Sequence, residues 1–153
     1  VDEGQGIDPL WWKCLRKFLQ NDGEMLLTAD KNQDLNEKFK KWTDLCPENF
    51  RHMYLLLQAE QSRLKRHTTK AAALYDEAIR VSISNKATHM AAIACECASN
   101  FYRNISKKDK AKEYILKAQQ LFESWGAHAK VLQMSDIYSD LLYSDYTTTD
   151  SPK

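Results

Sequence analysis

Asp30, Asn32 and Asp34, in the run DKNQDLNEKFKK, stand at alternate positions, as the first oxygen ligands of a calcium loop do. That loop needs glycine where Leu35 stands and a closing bidentate acid where Lys41 stands. The run therefore reads as a polar helix start, and no metal site is expected. Cys95 and Cys97 lie two apart on a helical stretch, so their thiols point to nearly opposite sides and cannot share an ion. Cys14 and Cys46 offer no ligand spacing either. Four cysteines without a framework fit a reducing, cytoplasmic compartment and small apolar fillers. His52, His67, His89 and His128 are scattered through polar surroundings and read as solvated surface groups. No Gly-rich phosphate loop, HRD, DFG or phosphoacceptor-histidine motif occurs. The chain is therefore expected to have no catalytic residue and no cofactor.

The chemistry that remains is electrostatic. Arg63, Lys65, Arg66 and Lys70 crowd one interhelix loop, and Arg103, Lys107, Lys108 and Lys110 crowd another forty residues on. If two helical hairpins stack, that offset brings both loops to one edge. Lys65, Arg66, Lys70, Lys107, Lys108 and Lys110 are then the candidate partner-binding set, suited to an acidic segment or to phosphate groups. Solvated loops also use lysine, which is the plain alternative. Nucleic acid is disfavoured, because the net charge is only +1 and no aromatic stands among these lysines to stack on a base. Trp11 and Trp12 beside Lys13, Arg16 and Lys17 resemble a membrane-surface helix, but Leu10 and Phe18 give that helix an ordinary core-packing face. No apolar run approaches the roughly eighteen residues that span a bilayer, so no membrane partner is expected.

These groups need elements to hold them. The chain has 153 residues, enough for one domain with a sizeable core. Its four glycines and three prolines all avoid the interval between Glu48 and Trp125, which argues for helices joined by tight polar loops. Asp8-Pro9 opens a first helix carrying Trp11, Cys14, Leu15 and Phe18. A second carries Leu35, Phe39, Trp42 and Leu45 and breaks at Cys46-Pro47. A third runs from Pro47 towards Arg66, and a fourth starts at Thr68 or Thr69. Asn85 is the expected cap of a fifth, with Met90, Ile93, Cys97 and Phe101 inward. Ser106 and Asp109 form a capping box for a sixth, which buries Ala111, Tyr114, Ile115, Ala118, Leu121 and Trp125 and ends at Gly126. A seventh carries Val131, Met134, Tyr138 and Leu141. Residues 1–7 read as a disordered segment, 8–145 as the helical domain and 146–153 as a flexible tail or linker. Because the first residue is Val1, the chain is expected to be processed or part of something longer.

Two segments share a spacing. KAAALYDEAIRV places Ala71, Tyr75 and Ala78 where KAKEYILKAQQL, forty residues later, places Ala111, Ile115 and Ala118. Small residues flanking a large one let a second helix lie close. Ala98, Ser99 and Tyr102 supply the facing half in the second unit; Gln58, Ala59 and Ser62 match less well in the first. The fold expected is all-α: about seven antiparallel helices in helical-hairpin repeats with a period of about forty. An ordinary bundle using alanine at close crossings is the alternative.

The pattern resembles the tetratricopeptide repeat. From Trp42 onward the chain also resembles the helical segment of large multidomain signalling proteins that join a Ser/Thr-kinase-like domain and an NTPase domain to a hybrid histidine kinase. The likeness rests on PENFRHMYLLLQAE (Pro47 to Glu60), ALYDEAI (Ala73 to Ile79), FESWGAHAKV (Phe122 to Val131) and the threonines 147–149, where a linker to a GAF domain begins in such proteins. It departs at KRHTTK, where the family has a glycine turn, and at IYSDLL, where the family has a proline. The resemblance implies a non-catalytic relay or docking module in a cytoplasmic signal-transduction protein, contacting flanking domains or a protein partner. The competing reading is a helical domain that binds nucleic acid or anionic phosphate ligands through its basic edge.

Overall fold

The computed structural model describes residues 29–144, and side chains over 36–144. The helix expected at Asp8, the Trp11-Trp12 pair, Cys14, the Asp30, Asn32 and Asp34 side chains and the 146–153 tail lie outside the described residues. Within them the chain is all-helical: α1 (Ala29–Leu45), α2 (Pro47–Leu64), α3 (Thr68–Ser84), α4 (Thr88–Asn104), α5 (Lys108–Trp125), α6 (His128–Ile137) and α7 (Ser139–Leu142). Helices α1 to α6 each pack chiefly on a neighbour in sequence; α2 also touches α4, and α7 packs on α5 as well as on α6. This is the contact pattern of stacked hairpins.

Consecutive helices run antiparallel. Ser99 on α4 donates to the Ala111 carbonyl of α5 at 2.7 Å, and Asn85 at the end of α3 reaches the Glu48 carbonyl at the start of α2 at 2.8 Å. The connections repeat every twenty residues. Arg66, Lys86, Ser106 and Gly126 all take positive φ, at 60°, 58°, 61° and 90°. Around each, two backbone bonds close the preceding helix in a Schellman arrangement. At the first, the Arg66 N–H donates to the Arg63 carbonyl at 3.0 Å and the His67 N–H to the Ser62 carbonyl at 2.9 Å. The other three connections repeat these two bonds. Only Gly126 is a glycine, the residue for which left-handed backbone carries no Cβ penalty.

The alanine pattern follows the same twenty-residue step. Ala71, Tyr75 and Ala78 on α3, Ala91, Cys95 and Ala98 on α4, and Ala111, Ile115 and Ala118 on α5 are all completely buried. The α4 copy hides in THMAAIACECASN, where cysteine stands in the large position. Small residues on three successive helices allow each crossing to be close. Ala59 and Ser62 of α2 are buried as well, so the weaker first unit is used in the same way. A smaller cluster, Phe39 against Leu57, ties α1 to α2.

Several expectations about helix ends and faces are corrected. Asn85 ends α3 instead of capping α4, and Ser106 sits in the left-handed turn instead of a capping box. The N-cap positions are His67, Ala87 and Lys107, without a side-chain cap bond. Schellman closure places the reversal residue just before the next helix, so the polar side chain there serves the turn. Trp125, at the end of α5, is 43 % exposed with one face of its indole on His89 of α4, and Leu45, the last residue of α1, is 84 % exposed. Trp42 is exposed too, with its indole against Phe39 and Phe50. The expected seventh helix is broken at Tyr138 into α6 and α7.

Candidate functional site

Two reversals of direction separate the α2–α3 connection from the α4–α5 connection, so both lie at one end of the stack. Lys65, Arg66, Lys70, Lys107, Lys108 and Lys110 are all exposed there. The start of α3 and the start of α5 share this end, and neither has a side-chain cap bond. Their free N–H groups add positive partial charge to the lysines. Asp109, in the first turn of α5, is the acid beside them.

The two flanking arginines are each paired with a carboxylate. Arg63 turns inward, with Nε and Nη2 donating to Glu60 Oε2 at 3.0 and 2.8 Å. Arg103 pairs with Asp140 at 2.8 Å, which ties α4 to α7. Lys110 rests its ammonium 5.4 Å from the Tyr102 ring, whose face also stacks on Tyr114. An aromatic does therefore stand at the lysine edge, but Tyr102 is buried and its ring is covered by Phe101, Tyr114 and Lys110. It offers no face to a nucleobase.

Beneath the basic end lies a buried polar pair that charge patterning did not single out. Glu60 is 2 % exposed, and its other carboxylate oxygen accepts the Tyr75 hydroxyl. The phenol is held well above its ordinary range, by burial first and by the adjacent carboxylate second. Glu96 plays a similar part in the next unit, taking Lys130 at 3.1 Å and the Tyr138 hydroxyl at 2.9 Å. Glu60 draws Arg63 from its own helix and Tyr75 from α3, and Glu96 draws Lys130 from α6 and Tyr138 from the end of that helix, so each carboxylate is satisfied. Cys97, on the same side of α4, is pushed far above the thiol range by burial, and Cys95 up to about 12 for the same reason. Neither is a thiolate nucleophile at neutral pH.

The opposite end holds a histidine pair. His52 is 4 % exposed, and its Nδ1 has no hydrogen-bond partner. His89 stacks on Trp125 at 5.1 Å. Burial lowers both titrations, and the second histidine lowers that of His52 further. His67 and His128 are exposed as expected, but His52 is a core residue. The helical spacing of His52, Leu56 and Ala59 was a visible signal of its inward face.

Between α3 and α5 runs an open groove of about 310 Å³. Asp76, Ile79, Arg80 and Ile83 line it from α3, and Glu113, Tyr114 and Lys117 from α5. Its α3 residues were legible as an i, i+3, i+4, i+7 stripe. Among the described residues no three His, Cys, Asp or Glu side chains gather to hold a metal, and no helix is long and apolar enough to cross a membrane. No protein-family model, curated protein or solved structure matches the chain.

Proposed function

We propose that this chain is a non-catalytic helical-repeat interaction module of a cytoplasmic signalling protein, holding a partner or transmitting strain between flanking domains. The observation that carries the reading is the shared basic end, with exposed cations from two connections beside two helix N-termini. An acidic segment laid across that end meets both loops at once. The stacked hairpins suit a docking role, since each contacts only its neighbours and leaves an extended surface. The resemblance to kinase-associated helical segments supports the relay aspect. The low net charge and the occupied Tyr102 ring weigh against nucleic acid.

The test is a Lys107→Glu/Lys108→Glu/Lys110→Glu variant. Its side chains are exposed, and new acids near the start of α5 suit the helix dipole, so the circular-dichroism melt should match wild type. Partner capture from lysate should then fall several-fold in yield. An identical partner list at identical yield would remove the basic end from consideration. Salt titration on a generic DNA duplex separates the competing reading: phosphate binding shows a steep salt slope and persists near physiological salt only if contacts are many.

A further inference from the structure

α3 and α5 both start at the basic end and run in the same direction, with α4 packed between them in sequence. The Tyr114 hydroxyl donates to Asp76 across the gap, which fixes the register of the two groove walls. The floor is formed by Ile79, 3 % exposed, and Ile83, 48 % exposed, one helical turn apart. Both lie on α3, so the apolar strip follows that helix axis and meets one apolar turn of an amphipathic helix laid along it.

The charges along the walls are ordered. Counted from the basic end, Glu113 and Asp76 come first, and Lys117 and Arg80 follow four residues later on their respective helices. At 1.5 Å per residue the acids precede the bases by about 6 Å on each wall. Asp76 is engaged by Tyr114, and Arg80 shares its guanidinium with Glu77 at 2.9 Å. Glu113 and Lys117 are exposed and make no ion pair among the described residues. As an exposed i, i+4 pair in water they attract each other only weakly, so a ligand redirects them easily.

We propose that this groove docks an amphipathic helix of a partner protein, antiparallel to α3 and α5, that presents an acidic residue one turn before a basic one. Glu at one position with Lys four residues later is the order that stabilises a helix by itself. In the antiparallel direction that acid meets Lys117 and Arg80, and that base meets Glu113 and Asp76. The reverse direction brings like charges together on both walls. The inference rests on reading the chain as a docking module, but it uses a surface separate from the basic end.

The experiment uses fluorescein-labelled, side-chain-cross-linked helical peptides with one apolar stripe, in two isomers of identical composition. One has Glu one turn before Lys beside the stripe; the other is reversed. Fluorescence anisotropy on the full chain should show the acid-first isomer binding at least about tenfold more tightly, a difference of about 1.4 kcal/mol. In a Glu113→Lys/Lys117→Glu chain the preference should invert, and Ile83→Asp should weaken both isomers. The Lys107→Glu/Lys108→Glu/Lys110→Glu variant should bind the acid-first peptide as wild type does, which separates failure of the groove from failure of the basic end. Equal binding of the two isomers, no binding to wild type, or an unchanged preference in the swapped chain overturns the proposal.

Discussion

Protonating His52 places a charge in a buried position beside His89, with no acceptor at its Nδ1. In the unfolded chain both histidines take a proton near pH 6.5. In the folded chain burial holds both below that value. The unfolded state therefore binds more protons as the pH falls through 6.5, and stability decreases with falling pH until the folded histidines also protonate. Chemical denaturation at a series of pH values between about 7.5 and 5 should show this acid-side loss. His52→Leu removes both the titration and the unsatisfied nitrogen, so its profile should be flatter over that interval. A variant as pH-sensitive as wild type would place the loss elsewhere. Glu60 is the contrasting case: a buried acid with Tyr75 and Arg63 as donors, hence a satisfied charge.

At the scale of the element, four connections share one geometry but not one residue. Arg66, Lys86 and Ser106 carry a Cβ in left-handed backbone, a conformation that costs an L-residue roughly 1–2 kcal/mol. Arg66→Gly, Lys86→Gly and Ser106→Gly should each stabilise the chain by about 1 kcal/mol, because the native backbone is already the one glycine tolerates. Gly126→Ala should cost a similar amount. No atom lies within 4 Å of the added Cβ, so its effect isolates the backbone term from any clash. Thermal melts check all four, and a destabilised Ser106→Gly chain would show that the serine side chain matters more than its φ.

For the whole molecule, stacking makes stability uneven. α4 buries ten residues between its neighbours, whereas α6 buries Met134 alone. In a stack held by nearest-neighbour contacts the outer elements open at lower free energy than the inner ones. Hydrogen exchange followed by mass spectrometry should therefore show α4 and the facing half of α5 as the slowest amides, with α6 and α7 exchanging well before them. Uniform protection from α2 to α7 would indicate one cooperative core instead. The Arg103–Asp140 and Lys130–Glu96 pairs are ion pairs that help hold the C-terminal helices, and both are at least partly open to water. High salt should loosen that end first.

Local information was enough for the helices. The absence of glycine and proline over a long interval, the break at Cys46-Pro47 and the spacing of Ala71, Ala78, Ala111 and Ala118 are all properties of short segments. Each acts within a turn or two of its own position, so each could be read without knowing the fold. The same holds for the six exposed cations, since charge concentrated in connections stays in water. Tertiary structure decided the rest. Arg63 and Arg103 are paired because Glu60 lies one turn away on the same helix and Asp140 arrives from thirty-seven residues on. His52 is inside because α2 is covered along that face, and the twenty-residue turn is invisible where Arg66, Lys86 and Ser106 stand in place of glycine. The groove exists only where α3 and α5 run side by side, and its charge order belongs to two helices that the sequence holds nearly forty residues apart.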